Sequence, residues 1–121
     1  MLRFHKNVFF PDNASSKLKD LCLALNSKDW SFSSHAIDSI KDEPINLHEL
    51  LTEIKALKIY ANGIFEFYLD NSSIVKICYR FNWKSKSIII CLNSSKTLIS
   101  VWVNSIDDNH ATLRKNLYAV A

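Results

Sequence analysis

Asn62-Gly-Ile-Phe-Glu-Phe-Tyr-Leu-Asp-Asn-Ser-Ser-Ile-Val-Lys-Ile-Cys-Tyr-Arg-Phe81 is the stretch on which the fold turns. Asn62-Gly63 is the strongest short-range hairpin signal in the chain. After it come β-branched and aromatic runs at 64–70 and 74–81, then at 87–92 and 97–104, each bounded by Asn, Ser, Asp or Lys-Ser turns. Such runs have strand length, and their short connections predict antiparallel hairpins. Alternation assigns Phe65, Phe67, Leu69, Val75, Ile77, Tyr79, Phe81, Ile99, Val101 and Val103 to one hydrocarbon face. The other face is mixed and carries Glu66, Tyr68, Ile74, Lys76, Cys78, Arg80, Leu98, Ser100, Trp102 and Asn104. Residues 88–92 are apolar on both sides, as a central strand is.

Upstream of residue 59 the period is helical. Asn13 is placed to cap a helix over 14–26, whose Leu18, Leu21, Cys22 and Leu25 share one face. Trp30 and Phe32 fall in a connection. A short second helix starts near Ser33 or Ser34 and stops before Pro44, carrying His35, Ile37 and Ile40. Asn46 followed by Glu49 is a capping-box pattern and opens a third helix over 47–58. Helices first and a meander second predict an α+β fold: two to three helices on one face of a four- to five-stranded antiparallel sheet. The expected organisation is a single domain over 1–121, with a helical part at about 12–58, a sheet at about 59–104 and a C-terminal segment at 105–121.

Composition narrows the function classes. With one glycine in 121 residues, the chain has no phosphate-binding loop, dinucleotide fingerprint or nucleophile elbow. Cys22, Cys78 and Cys91 are odd in number and embedded in apolar runs, which suits reduced core thiols. No HExxH or CxxC spacing is present, so neither metal nor cofactor is expected. No apolar run approaches the roughly 20 residues that span a bilayer, and Met1-Leu-Arg-Phe-His-Lys6 contains no signal-peptide core. A cytoplasmic protein without a membrane role is expected. The net charge of +3 permits an acidic partner.

The mixed face is where chemistry is expected. Cleavage of RNA without metal needs a base for the 2′-OH, charge for the phosphorane and an acid for the leaving oxygen. Glu66, Lys76 and Arg80 supply a base and charge, while Tyr68 and Trp102 offer rings to stack an unpaired base. His110 and Thr112, just past the last strand, place an imidazole and a hydroxyl beside that face. An ordinary solvated sheet face is the plain alternative.

Ser34-His35-Ala36 with Ile40 and Pro44-Ile45, the later runs Ile74-Val-Lys-Ile-Cys-Tyr-Arg80, Ser87-Ile-Ile-Ile-Cys91 and Thr97-Leu-Ile-Ser-Val-Trp102, and the ending Trp102-Val-Asn … Asp108-Asn-His110-Ala-Thr112-Leu … Tyr118 resemble small RelE-like proteins. The resemblance extends to the broader barnase–colicin–RelE ribonuclease group and spans about residues 33–118. It implies a RelE-like domain and a metal-independent endoribonuclease that cuts mRNA on the ribosome or tRNA. A toxin or phage host-takeover factor of this kind is often neutralised by a protein partner. By position, His35 and His110 become acid–base residues, Arg80 a phosphate clamp, Thr112 a supporting donor and Tyr118 a further RNA contact. Ser39 and Glu43 stand where the opening motif has arginines. A non-catalytic inhibitor on the same scaffold, with Trp102 and Tyr68 as anchors, is the rival reading, and a catalytically dead RNA binder is the third.

Overall fold

The computed structural model describes residues 1–26, 30–41, 43–106 and 115–120. The four predicted strands form β3 (Ile64–Asp70), β4 (Ser73–Trp83), β5 (Lys86–Asn93) and β6 (Thr97–Ser105), joined in sequence as antiparallel neighbours. Two more strands extend the sheet to six. β1 (Leu2–His5) pairs antiparallel with β3, and the two-residue β2 (Ser31–Phe32) pairs parallel with β6, giving the order β1-β3-β4-β5-β6-β2. The fold is therefore α+β, with a sheet wider than expected and one parallel pair at its edge.

Asn62-Gly63 makes no hairpin. It lies in a 3₁₀ turn over Ala61–Gly63 that leads into β3, and Gly63 keeps a negative φ. The glycine serves close packing instead: a Cβ there would sit 2.3 Å from Cε2 of Tyr79. The β3–β4 and β4–β5 turns use Asn71-Ser72 and Lys84-Ser85, with both residues of each pair at positive φ. That is the backbone of a type I′ turn, whose twist matches that of the strands.

Three helices follow the predicted order: α1 (Ala14–Leu25), α2 (Ser34–Ile40) and α3 (Leu47–Ala56). The Asn46 side chain accepts from the Glu49 N–H at 3.0 Å, and Ser33 accepts from the Ala36 N–H at 3.0 Å. Asn13 precedes α1 but has helical φ and ψ and makes no side-chain cap. Trp30 closes the other end of α1, its Nε1 donating to the Leu25 carbonyl at 2.6 Å.

Leu18, Leu25, Ile40, Leu50 and Ile54 from the helices pack with Ile64, Phe67, Ile77, Ile90, Leu92 and Val101 from the sheet in one buried cluster. Register shifts alter the predicted faces. Ile74 and Leu98, expected on the mixed face, belong to this core, because the ladder shifts between Tyr68 and Leu69 and between Cys91 and Leu92. A third shift, between Ile64 and Glu66, places Ile64 rather than Phe65 in the core. No helix among the described residues is long and apolar enough to cross a membrane.

Candidate functional site

The face opposite the helices is organised in rows by strand register. One row crosses His5, Glu66, Cys78, Cys91 and Ser100; the next crosses Arg3, Tyr68, Lys76 and Asn93; a third crosses Arg80, Ile89 and Trp102. Its centre is dry, since Cys78, Ser87, Ile89 and Cys91 are all buried. The expectation of an open mixed face is thereby corrected: β5 is buried on both sides, and Arg3, His5, Glu66, Tyr68, Lys76 and Tyr118 gather at the corner where β1, β3 and β4 adjoin, with Arg80 and Trp102 apart from them.

Glu66 is the hub of that corner and is only 5% exposed. Its Oε1 accepts from Arg3 Nε at 2.8 Å, its Oε2 accepts from the Tyr118 hydroxyl at 2.9 Å, and Tyr68 hydrogen-bonds the same carboxylate. Burial alone raises a carboxyl's pKa, but these bonds and the Arg3 charge outweigh it and hold Glu66 below its usual value. The same carboxylate keeps Arg3 cationic against its own burial. The phenols respond in the opposite sense: burial and the Glu66 charge push Tyr118 up to about 12 and Tyr68 up as well.

Stacking orders the cations. The Arg3 guanidinium lies 5.2 Å from the Tyr68 ring centre and 4.8 Å from that of Tyr118, and Lys76 Nζ sits 4.6 Å from the Tyr68 centre. His5, 5% exposed, meets Tyr118 edge-on with ring centres 5.0 Å apart and Phe65 at 5.7 Å. Its Nδ1 accepts from the Asn7 N–H at 3.0 Å, so the neutral imidazole carries its proton on Nε2. Burial lowers the His5 pKa, opposed by Glu66 and reinforced by Arg3. Cys78 and Cys91, next in the row, have their sulfurs 2.6 Å apart, and this contact with burial pushes the Cys78 thiol far up.

Four of the residues singled out in the sequence thus meet: Glu66, Tyr68, Lys76 and Tyr118. Arg80 lies on the same face two positions from Cys78, where its Nε donates to Ser87 Oγ at 2.5 Å. Trp102 is on β6, two strands from Arg80, and 40% exposed. His35 is not part of the site. It is exposed in the first turn of α2, which buries Ala36 and Ile40 against the far side of the sheet. His110 and Thr112 lie outside the described residues. Arg3 and His5 join the site through β1, whose only sequence signal is the period-two alternation of Leu2-Arg-Phe-His5.

Among the described residues no group of three or more His, Cys, Asp and Glu side chains is arranged to hold a metal ion. The arrangement supplies an ionised acceptor, a fixed guanidinium, a neutral imidazole donor and protonated phenols within one corner. No protein-family model matches this chain, and neither does any curated protein or solved structure.

Proposed function

We propose that the protein is a RelE-like, metal-independent endoribonuclease, a toxin or phage host-takeover factor acting on mRNA or tRNA in the cytoplasm and neutralised by a protein partner. The observation that carries this reading is the convergence of Arg3, His5, Glu66, Tyr68, Lys76 and Tyr118 on one corner of the sheet. Glu66 accepts the proton of the 2′-OH: an ionised carboxylate offers about four acceptor sites, and three donors engage it here. The 2′ oxygen attacks phosphorus and the 5′ oxygen leaves, giving a cyclic phosphate and a 5′-hydroxyl. Arg3 and Lys76 stabilise the charge that grows on the phosphoryl oxygens. His5, held neutral, donates from Nε2 to that group. His110, brought in by the family resemblance, protonates the leaving oxygen. Tyr68 and Tyr118 hold Arg3 flat and the carboxylate in place.

The test is purified protein incubated with total RNA and with ribosomes in EDTA, beside Glu66→Gln, Arg3→Ala and His110→Ala. Cleavage by the wild type that falls about 10²- to 10⁴-fold in Glu66→Gln is expected. Intact RNA in every tube overturns the proposal and favours the inhibitor reading, in which exposed Trp102 anchors a protein partner.

A further inference from the structure

Three neighbouring clefts lie between Lys6, just past β1, and the side of α1 that carries Lys19. The first, about 330 Å³, opens beside His5 between Lys6, Phe65 and Arg80, where β4 runs on past the pairing of Ile64 with Tyr79. The second, about 550 Å³, shares Lys6 and Asn62 with it and passes Lys19. The third, about 540 Å³, shares Asn62 and Lys19 with the second and ends at Lys58 and Tyr60. Asn62 lines all three, so they adjoin at that residue and are treated together as a groove.

The charge of this groove is unusual for the chain. Among the described residues that line it, Lys6, Lys19 and Lys58 stand with one acid, Asp12. Lys6, Lys19 and Lys58 are exposed and take part in none of the ion pairs found among the described residues. The far end has an aromatic platform: Tyr60 is 54% exposed, with Lys58 Nζ 5.4 Å from its ring centre. Its floor is pinned, since the Asn26 side chain donates to the Ile59 carbonyl at 2.9 Å and accepts from the Ile59 N–H at 2.7 Å. A pinned floor lets a polymer bind without first ordering the protein.

We propose that this groove is a binding path for single-stranded RNA, with Lys6, Lys19 and Lys58 tracking phosphates and Tyr60 stacking a base. The identity of the polymer rests on the ribonuclease reading, which the groove extends from a cleavage corner to a multi-nucleotide site. A cationic track with an exposed ring suits an unpaired strand, because a base within a duplex has no free face to offer.

The experiment is fluorescence anisotropy with a short single-stranded RNA carrying 2′-O-methyl groups, which cannot be cut, across a salt series. Tyr60→Ala is expected to weaken binding roughly five- to a hundred-fold. Lys6→Ala, Lys19→Ala and Lys58→Ala are each expected to reduce the log–log salt slope by about 0.7. Lys41→Ala, outside the groove, serves as the unchanged control, and melting curves check that each variant is folded. Unchanged affinity in Tyr60→Ala and Lys58→Ala overturns the path, as does equal affinity for duplex RNA. Displacement of the RNA by polyglutamate at equal charge concentration overturns it in favour of an acidic protein partner. Parallel cleavage of unmodified RNA separates the two proposals. Normal cutting with unaffected groove variants leaves the nuclease reading and removes the path. Groove-dependent binding without cutting leaves the path and removes the nuclease.

Discussion

The two faces of the sheet are both dry at their centres, yet they are held by different physics. On the helix side, Phe4, Phe67, Ile77, Leu92 and Leu98 form a register row across β1, β3, β4, β5 and β6, all within the buried core. Their attraction is non-directional and scales with the area removed from water. On the opposite side, the corner around Glu66 is held by directed hydrogen bonds and by the ion pair with Arg3. Removing one partner there leaves a buried group unsatisfied, which costs more than the bond itself contributes. The first face depends on volume, whereas the second depends on protonation.

The sharpest way to break this contrast is on the hydrocarbon side. Ile77→Ala, at a fully buried position, is expected to cost about 2–5 kcal/mol in urea unfolding, equally at pH 5 and pH 7. A cost that changed with pH would mean the two faces are coupled.

Tyr118→Phe comes next. It removes the hydroxyl that donates to Glu66 Oε2 and is expected to cost about 1.5–3 kcal/mol at pH 7, as for a hydrogen bond to a charged group. Because the bond helps keep Glu66 ionised, the cost should shrink once both folded and unfolded chains carry a protonated Glu66.

Acid alone sharpens the comparison further. His5 and Glu66 both titrate below their usual values of 6.5 and 4.5 in the folded protein. Each therefore contributes stability that is present above its usual value and lost as pH falls through the lower folded value. Wild-type stability should start to decline below about pH 6.5 and fall faster below about pH 4.5. In Arg3→Ala the second step should flatten, since the charge and hydrogen bond that depress Glu66 are gone.

The smallest effect belongs to neither face. Lys84 pairs with Glu49 between two exposed side chains, and Lys84→Ala should change stability by about 0–1 kcal/mol, vanishing in high salt.

What the sequence made legible follows from how local each signal is. Period and turn chemistry placed all three helices and the four long strands, and cap residues Ser33 and Asn46 act as their types suggest. The turns themselves were less readable. Type I′ geometry arises at Asn71-Ser72 and Lys84-Ser85, where strand pairing forces positive φ without glycine, while Asn62-Gly63 is claimed by packing against Tyr79. Shifts of one residue in the ladder moved Ile74 and Leu98 to the core, and nothing in alternation signals where a bulge falls. At the site, Glu66, Tyr68 and Lys76 were visible because they lie on adjacent hairpin strands. Arg3 and His5 were not, because their partnership with Glu66 is set by β1 pairing across more than sixty positions. His35 drew attention through its motif, but the i, i+4 burial of Ala36 and Ile40 already turns it outward.

That separation along the chain has a kinetic meaning. β3 to β6 zip through short turns, whereas the corner needs two long closures, 63 positions from Arg3 to Glu66 and 52 from Glu66 to Tyr118. Contacts of such span form late, after local pairing has already lowered the entropy of the chain. A molecule with its meander complete but β1 and Tyr118 undocked lacks Phe4 from its core and has a carboxylate with the Tyr68 phenol, but neither the Arg3 guanidinium nor the Tyr118 phenol, beside it. The polar corner cannot be complete before Tyr118 is in place, so a chain still being made can pair its meander before it has a site.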